Sequence, residues 1–318
     1  MSSGPGEHIE LSVVIPAFNE QENITPLLDR LLPALSATGL RCEIIFVDDG
    51  SRDATAARVL EARGAHVEIC LVRLARNFGH QVALFAGIEH SRGQAIVSMD
   101  GDLQHPPELI ATLVSRWRDG FDVVQTIRRD TADAGVLKKA SSGWFYRLLS
   151  SVSRIRVTAG AADFRLLSRE AADAFLQCRE RSRFNRGLVQ WIGFPYVEVP
   201  YEAEARHAGR TKYTLRKMLR LAGDAIFSFS SLPLRIAGLA GVIVSVVAAA
   251  YLLFVLWAAV FTDRVVPGWT STLATILILG GVQLVVLWII GEYIGRMYEE
   301  VKQRPLYIVR RELPRGKT

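Results

Sequence analysis

Cysteine is scarce in this chain of 318 residues, which has only Cys42, Cys70 and Cys178. Their odd number and irregular spacing match neither a disulfide framework nor a zinc site. Cys42 and Cys70 stand in strand-like runs, where a free cysteine acts as a small buried residue. Internal repeats and low-complexity tracts are absent as well, which sets repeat architectures aside. Met1–Glu10 is polar and lacks the apolar core of a secretory signal, so the N-terminus is expected in the cytosol. Charge is missing altogether from Ile236–Thr262 and Val265–Gly291. Each stretch is long enough to cross ~30 Å of hydrocarbon as a helix. One such run would also fit a buried core helix; two back to back favour membrane spans.

Charge is unevenly divided. Residues 206–318 carry 15 Lys/Arg and 6 Asp/Glu, a net of +9, while residues 1–205 carry 23 and 26, a net of −3. The basic excess belongs to the membrane end. It points to an anionic lipid surface as a partner and away from nucleic acid. Cations crowd both outer flanks of the spans, from Arg206 to Arg235 and from Arg296 to Lys317, and only Asp263 and Arg264 lie between. The positive-inside rule then puts both termini in the cytoplasm and the short loop outside. Two spans make a hairpin anchor and are too few for a pore.

The stretch Val97–Pro107 organises what precedes the anchor. An apolar run leads into Asp100 and Asp102, with Gly101 allowing a sharp turn between them and Pro106-Pro107 stopping the strand. Two carboxylates there form a hard oxygen site suited to Mg²⁺ or Mn²⁺ carrying a diphosphate. Asp-x-Asp alone is a weak signal, because turns are rich in Asp and Gly. Its neighbours strengthen it.

Strands are expected at Leu11–Ile15, Glu43–Val47, Val67–Leu74 and Ala95–Met99. Helices are expected between them. The first begins near Asn23 with Leu27, Leu28, Leu31, Leu32 and Leu35 on one face, the second covers Arg52–Arg63, and the third runs from Arg76–His80 to about Glu89. Alternating strands and helices give a doubly wound, mainly parallel α/β sheet. Ligands of such sheets bind at the carboxyl ends of the strands, where Asn19, Asp49, Asp100 and Asp102 all fall. Beyond the Asp pair, a helix is expected at Glu108–Trp117 and strands at Phe121–Thr126 and Phe194–Tyr201. Lys138–Ser151 is basic and aromatic, and fits a membrane-surface helix and an ordinary surface helix equally well. Arg206–Tyr213 reads as a basic loop, and Thr214–Leu232 as an amphipathic helix leading into the first span. The expected organisation is a cytosolic domain over 1–205, a juxtamembrane segment over 206–233, a hairpin over 234–298 and a basic tail over 299–318.

These residues resemble a family. Pro16-Ala17-Phe18-Asn19-Glu20, Asp48-Asp49-Gly50-Ser51 and Asp100-Gly101-Asp102-Leu103-Gln104-His105-Pro106-Pro107 are similar to the motifs of family 2 glycosyltransferases with a GT-A fold. Asp163-Phe164-Arg165-Leu166, the Arg206-x-x-Gly209-x-Thr211-Lys212-Tyr213 loop and the two spans narrow the resemblance to the polyprenyl-phosphate glycosyltransferases.

The resemblance implies roles, position by position. Pro16, Phe18, Asn19, Glu20 and Asp49 would contact the donor nucleotide, whereas Asp48 reads better as an acid that orients the loop. Asp100, with Gly101 beside it, would face the ribose or stand next to the metal, and Asp102 and Gln104 would hold the metal. Arg128 would contact donor and acceptor phosphates, and Lys138 and Ser142 the acceptor phosphate. Arg206 and Lys212 would fold over the bound diphosphate or meet lipid headgroups. Asp163 occupies the position usually proposed as the catalytic base. Processive synthases of the superfamily carry Gln-x-x-Arg-Trp on a helix; here Gln190-Trp191-Ile192-Gly193 lacks that Arg, so a single sugar transfer is expected.

The expected partners are a UDP- or GDP-linked sugar and an undecaprenyl or dolichyl phosphate, and a homo-oligomer is compatible with them. The acceptor phosphate has a second pKa near ~6 and is mostly dianionic at cytosolic pH. It needs no strong base, so Asp163 is expected to orient Arg165 or another cation more than to remove a proton. Attack from the opposite face inverts the anomeric centre. The competing class is a non-catalytic member of the fold, serving as partner or scaffold of a lipid-sugar flippase. Such a protein would be expected to lose a metal acid or the basic loop, and neither is lost here.

Overall fold

The computed structural model describes residues 8–62, 67–129, 160–181, 183–202, 232–261 and 268–313. Lys138, Ser142, Arg206 and Lys212, with the surface-helix and juxtamembrane stretches expected around them, lie outside the described residues. The chain divides into two compact units, residues 1–221 with 304–318, and residues 222–303.

The first unit is built on one sheet. Its strands are β1 (Leu11–Ala17), β2 (Cys42–Asp48), β3 (Glu68–Leu74), β4 (Ala95–Ser98), β5 (Val123–Arg129), β6 (Ala161–Ser168), β7 (Tyr196–Glu202) and β8 (Val309–Leu313), in the spatial order β7-β5-β6-β4-β1-β2-β3-β8. The pairings leave only β6 and β8 running against the other strands. β1, β2 and β4 are buried from end to end or nearly so. This is why they read as continuous apolar runs rather than alternating ones.

β1 was expected to stop at Pro16 but continues to Ala17, paired with β2 through Asp48. The reason lies on its other side. β4 accompanies β1 only as far as Val14, so the missing N–H of Pro16 need not break a second ladder.

Helix α1 (Ile24–Ser36) buries Ile24, Leu27, Leu28, Leu31 and Leu35. Each such side chain contributes about 1.5–3 kcal/mol relative to exposure. Helix α2 (Thr55–Glu61) starts later than expected, because Asp53 accepts from both the N–H and the hydroxyl of Thr55 and holds the preceding residues in a turn. Helix α3 (His80–Glu89) has six consecutive buried residues, Ala83–Ile88. It is covered on both sides, and a Cβ on Gly87 would collide with Val14 of β1. Helix α4 (Ile110–Arg118) follows a short 3₁₀ turn at Pro107–Leu109. Two further helices fall where none was expected, α5 (Arg169–Gln177) and α6 (Asn185–Trp191). Each is short, and α6 has no amphipathic run long enough to announce it.

β8 is a second departure. It lies in the segment expected to be a basic tail, yet pairs with β3 as an edge strand of the same sheet. Its sequence, Val-Arg-Arg-Glu-Leu, has apolar residues only at its ends and shows no strand pattern. Two contacts reinforce the return of the chain: Ala75 N–H donates to Ile308 O at 2.8 Å, and the Tyr307 hydroxyl donates to Glu89 at 2.5 Å.

The second unit contains α7 (Leu232–Phe261) and α8 (Trp269–Val301). Both are long and apolar enough to cross a membrane. Their large apolar side chains face outward, Leu239 at 62% and Leu284 at 70% exposure. A core helix of a water-soluble fold would bury them, which points to membrane association.

Candidate active site

In the sheet order, the chain builds outward from β1 to β3 and then crosses back to place β4 on the other side of β1. In such sheets ligands bind where the order reverses, here at the carboxyl ends of β1 and β4. Three loops border that place: the turn after β1, the Asp48–Ser51 turn after β2, and the Asp100–Pro107 turn after β4.

The first two loops are tied to each other. Asn19 has left-handed backbone, φ 55°, tolerable for an Asn. Its N–H donates to Ser51 Oγ at 3.0 Å, and its Oδ1 accepts from Arg52 N–H at 2.9 Å. Glu20 N–H donates to Thr55 Oγ1 at 2.9 Å, and its carboxylate accepts from Asn23 Nδ2 at 2.6 Å. Pro16 is buried in β1, and Phe18 is half-buried beside Asn19. Asp48 is buried, pairs with Arg73 Nε at 3.0 Å and accepts from Ser51 N–H at 2.8 Å. Asp49 is 3% exposed. Its two oxygens accept from Phe78 N–H at 2.7 Å and Gly79 N–H at 2.9 Å. Burial raises this carboxyl above its usual range, although the two N–H donors act the other way. Gly50 has φ +72°, and a Cβ there would come within 2.7 Å of Arg76 C. The Asp49 side chain thus fastens the β3–α3 loop to the β2 turn.

The third loop is different. Asp102 is half-buried, and its Oδ1 accepts from Gln104 N–H at 3.2 Å. Leu103 takes φ 63° between them, a strained choice for a branched residue. Gly101 is buried under this turn. Asp100 N–H donates to His105 Nδ1 at 3.0 Å, so a neutral His105 carries its proton on Nε2. That nitrogen stands 3.8 Å from Asp100 Oδ2. His105 is itself fixed, stacked on Phe164 at 5.1 Å with Tyr201 against its edge at 6.0 Å. Asp100 Oδ1 is buried and makes no hydrogen bond, although His80 Nε2 stands 3.4 Å away. A buried carboxylate oxygen without a hydrogen bond invites an unseen partner.

Behind this loop, near the start of β6, lies Asp163, 5% exposed. Its Oδ1 accepts from Arg165 Nη2 at 2.6 Å, and its Oδ2 from Arg186 Nη2 at 3.1 Å and Gln81 Nε2 at 3.3 Å. His80 Nε2 lies 3.5 Å from Oδ2. Burial opposes ionisation of Asp163, but Arg186, the His80 hydrogen bond and Arg165 outweigh it and hold the carboxyl well below its usual range. Burial likewise disfavours the His80 cation, yet Asp100 and Asp163 outweigh it and raise the imidazole to about 9. Ser98 on β4 donates to the Asp163 carbonyl at 2.7 Å and locks the register of β4 against β6.

Arg128 is exposed on β5, directly opposite Tyr201 of β7 in the ladder. The Tyr201 hydroxyl is pushed up to about 12, mainly by burial, with Arg128, Asp100, Arg186 and Asp102 all acting on it.

The structure links Asp100 to Asp163 through His80, with Asp102 and Gln104 half-buried in the turn beyond Asp100 and Arg128 exposed on β5. Asn19, Glu20 and Asp49 sit in the adjoining loops, and in this structure their polar groups are used to hold those loops. Sequence reading assigned no role to His80, Gln81, Arg186, His105 or Tyr201. Only His105 carried a signal, its place in the Asp100–Pro107 motif. His80, Gln81 and Arg186 converge through tertiary packing between α3, α6 and β6, and Tyr201 through the pairing of β7 with β5.

Comparison with known proteins agrees with this geometry. The chain is 42% identical to an uncharacterized glycosyltransferase of Synechocystis sp., over 95% of each chain. It is 40% identical to an uncharacterized glycosyltransferase of Bacillus subtilis, over 96% of this chain and 94% of that one. It is 37% identical to a prophage bactoprenol glucosyl transferase homolog of Escherichia coli, over 95% of this chain and 99% of that one. Among solved structures, a Mycobacterium tuberculosis glucosyl-3-phosphoglycerate synthase in complex with Mn²⁺, UDP and glucosyl-3-phosphoglycerate aligns with 69% of this chain and 78% of its own. That alignment has 19% identity and a TM-score of 0.47. It is too distant to carry a ligand or a residue's role to this protein.

The sheet, its switch point and the Asp100–Asp102 turn define a GT-A-fold sugar transferase. The family model of glycosyl transferase family 2 matches residues 12–176, and the chain belongs to that family.

Proposed function

We propose that this protein transfers one sugar from a nucleotide-sugar donor to the phosphate of a membrane polyprenyl phosphate, with inversion and with a divalent cation. The observation that carries the reading is the match to the prophage bactoprenol glucosyl transferase homolog, which spans 95% of this chain and so takes in the catalytic unit and both apolar helices.

The site chemistry supports it. Asp100 and Asp102 are hard oxygen ligands at the carboxyl end of β4, one of them with a buried oxygen that makes no hydrogen bond. Among the described residues, no group of three or more His, Cys, Asp or Glu has metal-binding geometry. This suits a cation that takes its remaining ligands from a diphosphate and water. Asp100 and Asp102 would hold Mg²⁺ or Mn²⁺, with Gln104 beside them. When bound, the ion would neutralise charge on the donor diphosphate.

An acceptor phosphate oxygen forms the bond to the anomeric carbon. The bond from that carbon to the diphosphate oxygen breaks, and its electron pair leaves with the nucleoside diphosphate. An acceptor with a second pKa near ~6 enters largely as the dianion, so no proton need be removed. Arg128 faces the phosphates from the end of β5. Lys138 and Ser142 bind the acceptor phosphate, and Arg206 and Lys212 close over the diphosphate.

Both termini are cytoplasmic in this reading. The basic flanks of the hairpin support it. So does the pairing of β8 with β3, because the chain re-enters the catalytic unit after α8 and must therefore cross the bilayer an even number of times. Protease applied to right-side-out vesicles should spare residues 304–318, and cleavage there would reject the topology. The reaction is tested by supplying membranes with polyprenyl phosphate and a panel of nucleotide sugars, UDP-glucose first. Cation-dependent release of nucleoside diphosphate that requires the lipid is the expected result. Its absence with every donor would overturn the proposal.

A further inference from the structure

Two prolines follow His105, and the residue before a proline is driven toward extended backbone. Pro106 is itself extended, with φ −69° and ψ 116°. The Asp100–His105 segment therefore does not close as a helix. It bends at Leu103, whose left-handed φ of 63° is strained for a branched residue. Leu103 is buried and belongs to the apolar core, which draws the turn inward. Apolar burial has no direction, however, and a turn that presents two carboxylates needs a directed contact.

His105 supplies it. Its Nδ1 lies 3.0 Å from the Asp100 main-chain nitrogen. A main-chain N–H donates and never accepts, so Nδ1 is the acceptor. The ring has little freedom. It is buried, stacked on Phe164 at 5.1 Å with 18° between the planes, and has Tyr201 against its edge at 6.0 Å. The Phe164 carbonyl in turn accepts from Thr126 Oγ1 at 2.6 Å. Thus β6 and β7 hold the ring, and the ring holds the main chain at Asp100.

The Asp100 carboxylate has no comparable fastening of its own. His80 Nε2 stands 3.4 Å from Oδ1 and His105 Nε2 stands 3.8 Å from Oδ2, and neither contact is a hydrogen bond. The placement of this side chain therefore follows from its main chain. Asp102 shares the turn, its Oδ1 accepting from Gln104 N–H at 3.2 Å.

We propose that His105 is a positioning residue for the cation: by accepting the Asp100 N–H, its Nδ1 presets the turn that carries Asp100 and Asp102. This rests on the reading above that these two acids hold Mg²⁺ or Mn²⁺. His105 acts through the main chain of the turn and is not itself a ligand. Partners of this kind, one step removed from the ion, set ligand geometry before the ion arrives.

The test reads Mn²⁺ binding to the full-length protein in lipid nanodiscs, by loss of the free-ion electron paramagnetic resonance signal, with UDP and with GDP in parallel. His105→Phe keeps a ring for Phe164 and Tyr201 but has no acceptor, and its Mn²⁺ affinity is expected to fall about tenfold. His105→Asn loses the ring but offers an amide oxygen near the place of Nδ1, and its affinity should stay within about threefold of wild type. Urea midpoints are measured alongside. Phe175→Leu, a core change on α5 outside the turn, should lower the midpoint and leave Mn²⁺ affinity unchanged. In transfer assays, raising Mn²⁺ should return most of the rate to His105→Phe, whose ligands are all present, and not to Asp102→Asn.

Wild-type Mn²⁺ affinity in His105→Phe overturns the proposal. So does equal weakening in His105→Phe, His105→Asn and Phe175→Leu, because affinity would then follow stability and His105 would be a packed core residue only. If binding is lost in Asp102→Asn but kept in His105→Phe, the cation reading stands and the role of His105 alone falls. If the wild-type protein binds no Mn²⁺ with either nucleotide, the cation reading fails and the role of His105 fails with it.

Discussion

Two acidic pairs stand at the carboxyl ends of the strands that flank β1, and they do opposite work. Asp48 and Asp49, after β2, are 1% and 3% exposed. Their oxygens are committed to Arg73, Ser51, Phe78 and Gly79. Asp100 and Asp102, after β4, are half-buried; Asp100 Oδ1, like Asp48 Oδ2, is buried without a hydrogen bond, but its cationic neighbour His80 stands at 3.4 Å where Arg73 stands 3.0 Å from Asp48. The same residue type at equivalent ends of the two strands beside β1 is thus divided between holding the loops and meeting a ligand. What separates the pairs is burial, together with the two N–H donors on Asp49 and the Arg73 partner of Asp48, since a carboxylate held in this way has little left for a cation.

The comparison breaks most visibly on activity. Asp102→Asn keeps the volume of the side chain and an acceptor for Gln104 N–H, but removes a charge from a site with few protein ligands. Turnover is expected to fall by about 10³-fold, or roughly 4 kcal/mol in barrier, while the melting temperature stays within a degree or two of wild type. A variant that kept most of its activity at low Mg²⁺ or Mn²⁺ would place the cation elsewhere. If stability fell with activity, Asp102 would belong with the structural pair.

How much of this could be read beforehand differs between the two pairs. Strand-end acids are visible wherever a buried parallel strand is visible, because such strands are unbroken apolar runs, and β1 to β4 were located this way. Sequence reading also separated Asp48, as a loop-orienting acid, from its neighbours. It could not see that Asp49 would be claimed by Phe78 and Gly79, thirty residues further on, because hydrogen bonds between loops leave no local pattern. The Asp163 cluster was half legible. Asp163-Phe164-Arg165 stood out as acid and base in a small-residue setting, but Arg186 reaches it only because Asn185 clips α6 to α3. β8 was hidden for a simpler reason: five residues with three charges in the middle resemble a tail until an edge strand accepts them.

Stability should show the reverse order. In Asp49→Asn the loss of charge is itself no loss, since burial already raises this carboxyl above its usual range. What Asn lacks is a second acceptor. Its amide nitrogen would face either Phe78 N–H or Gly79 N–H, donor against donor, in a buried turn. The expected cost is about 1–3 kcal/mol, read as a lower urea midpoint at unchanged slope. Gly50→Ala tests the same junction from the backbone. It combines a left-handed φ of +72° with a Cβ 2.7 Å from Arg76 C, and about 1–3 kcal/mol of destabilisation is expected. Full stability in either variant would mean that the β2 turn is not what fastens the β3–α3 loop.

The smallest effect should come from Asp48→Asn, although Asp48 is the more buried of its pair. Its Oδ1 accepts from Ser51 N–H at 2.8 Å, and an Asn can keep that bond by placing its single oxygen there. The amide nitrogen then faces Arg73 Nε, 3.0 Å from the present Oδ2. That is again donor against donor, but here one partner can leave. The Arg73 side chain is 36% exposed and can swing its guanidinium into water, whereas the N–H groups facing Asp49 are fixed in the main chain. An ion pair with one partner this exposed is worth little, so after discounting for solvent the loss should stay near 1 kcal/mol or below. The measurement is a urea titration of Asp48→Asn beside Asp49→Asn at the same pH. A larger loss for Asp48→Asn would show that the ion pair, not the two main-chain donors, decides which acids hold the loops.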